Sequence, residues 1–167
     1  MPIDVVPESL DDQTWKVGIV LRAQVWTRFV VPPFLTWRRV RFSRTSQRRI
    51  PNKSGLYAFV TGSRNRQLPR FGYVMYVGQT GAKSGRGLYG RFGDYLQWVK
   101  GEKRPLVRAM FEKLNGTLDF HFAIVQPSEV GNLESIETKL LDTLIPPCNE
   151  IGFSAEIAHA VKVLWRR

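Results

Sequence analysis

Gly55-Leu56-Tyr57-Ala58-Phe59-Val60-Thr61 and, further along, Gly72-Tyr73-Val74-Met75-Tyr76-Val77-Gly78 decide the fold. Both runs are apolar, rich in aromatic and β-branched residues, and bounded by glycine. The first predicts a strand over Leu56–Thr61 and the second a strand over Gly72–Gly78. The link between them, Gly62–Arg70, is polar, basic and turn-rich, so the pair reads as a hairpin with a long loop.

Downstream, Leu88–Val99 has the spacing of a helix. Leu106–Leu114 has it too, with Pro105 in the first turn and Asn115-Gly116 closing it. Leu118–Val125 alternates, with Phe120, Phe122 and Ile124 on one side and Asp119 and His121 on the other, which predicts a third strand. Leu133–Leu144 reads as a helix with Asn132 as N-cap and Pro146-Pro147 as its stop. Ser154–Arg167 reads as a short helix capped by Ser154. The order ββααβα predicts a mixed α/β (α+β) core over residues 51–152, a three-stranded antiparallel sheet flanked by helices. Residues 153–167 form the C-terminal helix. Residues 1–50 form a basic N-terminal arm with one helix, starting after Asp11, Asp12 or Thr14 and stopping before Pro32-Pro33.

Charge narrows the partners. The chain of 167 residues has 25 Lys and Arg against 14 Asp and Glu, a net charge of +11, which points to a polyanion and most simply to nucleic acid. Arg38, Arg39, Arg41, Arg44, Arg48 and Arg49 crowd one short stretch with no acid among them, the footprint expected of phosphate-backbone contacts. Trp26, Phe34, Trp37 and Phe42, interleaved with or beside them, read as core or interface anchors before base-stacking platforms. No run approaches the roughly 20 apolar residues of a membrane span, and the first residues lack the pattern of a signal peptide. One cysteine excludes an internal disulfide, and two histidines exclude a Cys/His zinc cluster. The expectation is an intracellular protein without membrane partners.

One carboxylate stands in an unexpected place. On the helix from Leu133, at about 100° per residue, Leu133, Ile136, Leu140, Leu141 and Leu144 share one arc, and Glu137 falls near its middle. A carboxylate on an apolar stripe is costly unless it pairs with an arginine or binds a cation. Either a buried salt bridge or a metal ligand in a cleft satisfies that demand. On the helix from Leu88, Arg91 and Tyr95 lie one turn apart beside the apolar stripe and can reach a common site.

In combination these residues resemble the GIY-YIG nuclease superfamily. Gly55-Leu56-Tyr57 is similar to its first motif and Tyr76-Val77-Gly78 to its second. Arg91 with Tyr95 is similar to its Arg-x-x-x-His/Tyr helix motif, and Glu137 with Pro146 and Asn149 to its Glu…Pro-x-x-Asn motif. The resemblance covers about residues 51–152. It departs in the long Gly62–Arg70 link, in the inserted Gly81–Gly87 segment, and at Gln79, where many members carry a lysine for which Lys83 could substitute. Similar insertions occur in restriction enzymes of the family.

The resemblance implies a divalent-metal-dependent DNA endonuclease of restriction-like or mobile-element type. Glu137 holds one Mg²⁺ or Mn²⁺, and Arg91 forks onto the non-bridging phosphate oxygens. Tyr57, with Tyr76 beside it, either takes the proton of the attacking water or orients that water. Tyr95 contacts phosphate or water. Asn149 fixes the loop after the Glu137 helix and reaches the site, or is a turn-forming asparagine. An unperturbed tyrosine is only about 0.1% ionised at pH 7, so the first role for Tyr57 requires nearby cations such as Arg91 or Lys83. Lys83 and Arg86 join the arginines of the arm as nucleic-acid contacts. Double-stranded DNA is the expected partner, cut by a homodimer. A non-catalytic nucleic-acid-binding module on the same fold is the alternative.

Overall fold

In the computed structural model, which describes residues 14–30, 32–81, 85–98 and 103–164, the hairpin forms as β2 (Gly55–Gly62) and β3 (Gly72–Thr80). Tyr57 faces Gly78 across it, and the register shifts at a bulge between Phe59 and Val60. β4 (Leu118–Ile124) lies on the other side of β2, with Phe59 opposite Phe120. The sheet has a fourth strand, β1 (Trp37–Arg41), paired with β4, and the order is β1-β4-β2-β3 with every pair antiparallel. The three-stranded expectation is therefore corrected. The added strand comes from the stretch read as a basic arm. Val40 supplies the reason, since it sits opposite Phe120 and is buried while the neighbouring arginines stay in solvent.

Among the described residues five helices accompany the sheet: α1 (Ala23–Arg28), α2 (Leu88–Trp98), α3 (Pro105–Lys113), α4 (Leu133–Leu144) and α5 (Ala155–Leu164). The arm helix, α1, is much shorter than the span from Thr14 to Pro32. Gly18 and the β-branched Val17, Ile19 and Val20 are poor helix formers, and their backbone is irregular. Two 3₁₀ segments, Arg44–Arg49 and Pro127–Asn132, complete the elements. Asn132 places no side-chain cap on α4, and its amide donates to Glu129 instead.

The sheet separates two apolar layers. On one face Tyr57, Phe59, Phe120 and Phe122 meet Leu88, Phe92 and Tyr95 of α2 and Val107, Met110 and Phe111 of α3. Edge-to-face ring pairs dominate this layer, such as Phe92–Phe120 at 4.9 Å and Phe59–Phe111 at 5.0 Å. Each is worth about 0.5–1.5 kcal/mol beyond the area it buries. On the other face Leu56, Ala58, Val77 and Ala123 receive Leu133, Ile136, Leu140 and Leu141 of α4. Phe34 and Trp37 pack at the margin of this second layer and Phe42 beside the first, so these aromatics act as anchors. Trp26 donates from Nε1 to the Thr143 carbonyl at 3.0 Å, which ties α1 to α4.

β3 is an edge strand, and the chain after α4 covers part of it. α4 ends at Leu144, and Ile145 reverses the direction in a left-handed conformation (φ 43°), rare for a β-branched residue. The following Pro146-Pro147 turn lays Cys148 and Asn149 along β3. Cys148 N–H donates to the Met75 carbonyl at 2.9 Å. Backbone groups that an open edge would leave unpaired are thereby satisfied. Among the described residues no helix is long and apolar enough to cross a membrane.

Candidate functional site

The β3 edge is where both layers meet. α2 brings Arg91 from one face and α4 brings Glu137 from the other. Tyr57 and Tyr76 project from adjacent strands, and the Pro146–Asn149 turn closes the side. A cavity of about 400 Å³ lies between them, with Tyr57, Tyr76, Arg91, Glu137 and Asn149 among its lining residues. Register explains how Tyr57 fits. A Cβ on its strand partner Gly78 would lie 2.4 Å from the Tyr57 hydroxyl oxygen, so only glycine leaves room for the phenol. Gly55 is equally constrained, since a Cβ there would meet the Ala123 carbonyl oxygen at 2.2 Å.

Three tyrosine hydroxyls form a chain held at each end by a guanidinium. Arg91 Nε donates to Tyr57 Oη at 3.1 Å, and Arg104 Nη1 donates to Tyr76 Oη at 2.8 Å. Tyr95 joins the two, with its hydroxyl 3.0 Å from Tyr57 Oη and hydrogen-bonded to Tyr76. Arginine offers donors and no acceptor. Within this chain the three O–H groups have two oxygen–oxygen links to fill, so one proton is left over. Tyr95 is fully buried between its neighbours. A surplus O–H on Tyr57 or Tyr76, the two that line the cavity, is within reach of whatever binds there.

Burial sets the protonation of these groups. It pushes the Tyr57 hydroxyl well above the ordinary tyrosine value, helped by Tyr76 and opposed by Arg91 and Tyr95. It does the same to Tyr76 and Tyr95. All three remain phenols at neutral pH. Glu137 is half-buried, and its carboxyl is pushed up to about 7, first by burial and then by Glu134. The Gln79 backbone N–H and Arg91 oppose that shift without cancelling it. Glu137 thus stands as a carboxylate short of positive charge.

That deficit suits a hard cation. Gln79 also lines the cavity, and its side-chain Oε1 is buried with no hydrogen-bond partner among the described residues. An unpartnered amide oxygen beside an under-compensated carboxylate fits Mg²⁺ or Mn²⁺, which take oxygen donors and keep several waters. Among the described residues no group of three or more His, Cys, Asp or Glu is placed to hold a metal, so a cation here would rest on Glu137, the Gln79 amide oxygen and solvent.

Other residues named from sequence fall elsewhere. Tyr95 does not face the cavity as expected. Its helix position points it into the aromatic layer, where it holds the hydroxyls of the other two tyrosines. Asn149 grips β3 as well as lining the cavity: its Oδ1 accepts from Val77 N–H and its Nδ2 donates to Val77 C=O, each at 2.9 Å. Arg86 is ion-paired with Asp94, which also approaches Arg91 at 3.9 Å. Arg38, Arg39, Arg41, Arg44, Arg48 and Arg49 are exposed, and none of them lines the cavity. Lys83 lies outside the described residues.

Sequence reasoning did not find Arg104, whose ring contact with Tyr76 at 5.4 Å adds to its hydrogen bond. A lone arginine before Pro105 carries no periodic or motif signal. Glu150, one residue beyond Asn149, is an exposed carboxylate at the cavity mouth. No protein-family model, curated protein or solved structure matches the chain.

Proposed function

We propose that the protein is a divalent-metal-dependent DNA endonuclease of the GIY-YIG kind, acting as a restriction-like or mobile-element enzyme inside the cell. One observation carries the proposal. Tyr57, Tyr76, Arg91 and Glu137, drawn from four separate motifs across 81 positions of chain, line a single cavity. Double-stranded DNA is the substrate, and cutting both strands calls for a homodimer.

Glu137 would hold Mg²⁺ or Mn²⁺ together with Gln79 Oε1. When bound, such an ion would polarise the phosphate and neutralise charge on the leaving 3′ oxygen. Arg91 binds the non-bridging oxygens as their charge grows; its Nε is fixed by Tyr57, which sets the guanidinium plane. Tyr57 and Tyr76 act as phenols, because burial holds their protons on. The surplus O–H of the tyrosine chain points at phosphate or water and orients it. Asn149 keeps the turn after α4 in register with β3, so Glu137 stays opposite Arg91.

The same burial favours a second reading, a non-catalytic nucleic-acid-binding module, since a tyrosine held neutral is a poor base. Supercoiled plasmid incubated with Mg²⁺ or Mn²⁺ and then with EDTA separates the two. Metal-dependent nicking or linearisation that a folded Glu137→Ala protein lacks supports the nuclease. Binding without any cleavage supports the module.

A further inference from the structure

The sheet carries a second hollow on the face away from α2. α4 covers that face only over Leu56, Ala58, Val77 and Ala123. Toward the other end Val60, His121 and Arg39 floor a concavity of about 690 Å³. Its wall is the β2–β3 loop, which contributes Arg64, Arg66, Arg70 and Phe71. A smaller adjoining hollow shares Arg39 and Arg64 and adds Arg41 and Arg49. Among the described residues Asp119 is the one carboxylate lining either hollow, and it is ion-paired with Arg64.

We infer that this concavity binds an unpaired nucleotide of a nucleic-acid strand, its phosphates on the arginines and its base against Phe71. Six arginines against one carboxylate exceed what a single small anion needs and suit consecutive phosphates. Val60, Leu68 and Phe71 add apolar surface, and the Phe71 ring is half-exposed at 52%. Such a ring offers a face to a base that is not already stacked in a duplex. The loop is also shaped in advance. Ser63 Oγ accepts from Asn65 N–H at 3.1 Å, Asn65 Oδ1 accepts from Gln67 N–H at 2.9 Å, and Leu68 N–H returns to the Asn65 carbonyl at 3.2 Å. The inserted loop that lengthens the hairpin thereby acquires a use of its own, independent of chemistry at the cavity.

The test is fluorescence anisotropy with a short labelled single-stranded oligonucleotide in EDTA, over a range of salt. Arg66→Gln with Arg70→Gln should flatten the log–log salt slope by about 1.4, at roughly 0.7 per phosphate neutralised on a single strand. Phe71→Ala should weaken single-strand binding on the order of tenfold and leave duplex binding unchanged. Arg108→Gln with Lys162→Gln removes the same charge from exposed helix positions and should leave the slope alone. All these side chains are exposed, and circular dichroism checks that each variant folds. An unchanged slope in the loop pair, equal flattening in the control pair, or a Phe71→Ala effect that is absent or equal for duplex overturns the site. A protein that cuts no plasmid yet shows the expected shifts loses the nuclease proposal and keeps this one.

Discussion

Asn149 holds the Val77 peptide from both sides, accepting from its N–H and donating to its C=O at 2.9 Å each. The contact is buried and joins the turn after α4 to an edge strand whose outward groups have no strand partner there. Asn149→Ala removes both bonds and leaves the Val77 groups unsatisfied. Each such group costs about 1–3 kcal/mol, so urea unfolding should report a loss of about 2–6 kcal/mol for the two. Asn149→Asp keeps the acceptor and should recover part of that loss. Equal stability of the alanine variant and the parent would mean water replaces the amide without cost.

Gly78→Ala adds one methyl beneath the Tyr57 phenol, at a point only 2.4 Å from its oxygen. The ring must move, and with it the bonds to Arg91 and Tyr95. Overpacking of this kind costs about 1–3 kcal/mol. Thermal unfolding should therefore shift downward, and plasmid cleavage should fall further than the stability loss explains. A Gly78→Ala protein with unaltered melting and cleavage would show that the Tyr57 position is adjustable.

Much of this was legible before the structure. β2, β3, β4, α2, α3 and α4 announce themselves by clean periods and by proline or glycine at their ends. β1 does not, because Trp37 and Val40 are three apart and break the alternation, while its arginines look like a solvated run. Their place in the sheet comes from β4, whose edge needs a partner. The convergence of Tyr57, Tyr76, Arg91 and Glu137 was expected from motif order. Tyr95 was misplaced because helical spacing puts it beside Arg91 without saying which side of the ring layer it enters. Arg104 was invisible, since its role depends on how α3 docks against Tyr76.

Glu137 gives a pH signature. Its folded pKa of about 7 lies above the ordinary 4.5, so the native state keeps a proton that the unfolded chain has released. Stability from this group is present below 4.5, declines as pH rises toward 7, and stays reduced above it. In the metal-free protein, Glu137→Gln should melt with the parent near pH 4 and above it at pH 8. Mg²⁺ should raise the parent's melting temperature at pH 8 and leave the variant's unchanged. Coincident melting curves at pH 8 without metal would mean that the protein's own cations compensate the carboxylate.

Arg104→Met leaves the Tyr76 hydroxyl without its guanidinium donor while preserving much of the packing against the ring. The proton order of the tyrosine chain is then no longer fixed at that end. If the oriented O–H assists phosphate hydrolysis, turnover should drop by about 10²-fold, the usual effect of losing one preorganised donor. The metal concentration giving half-maximal activity should not change. Arg108→Met, on the exposed side of α3, the helix that Arg104 precedes, serves as the control. Matching turnover in the two variants would remove Arg104 from the site.

Arg44 and Arg48 occupy the 3₁₀ segment packed beside α2, where Gln47 donates to the Tyr89 carbonyl at 3.5 Å. Arg39 lines the concavity on the other sheet face. The arm arginines are thus divided between the two faces of the sheet, and if the proposed duplex runs along the α2 face, Arg44 and Arg48 are the arm residues placed to meet it. Arg44→Gln with Arg48→Gln should weaken duplex binding whatever its sequence and flatten the log–log salt slope by about 0.9 for each phosphate no longer neutralised. Single-strand binding at the concavity should keep its slope, because neither residue lines it. Titrations of both probes against salt decide the matter. A duplex slope equal to the parent's would take Arg44 and Arg48 off the DNA path and leave them as a solvated face beside α2.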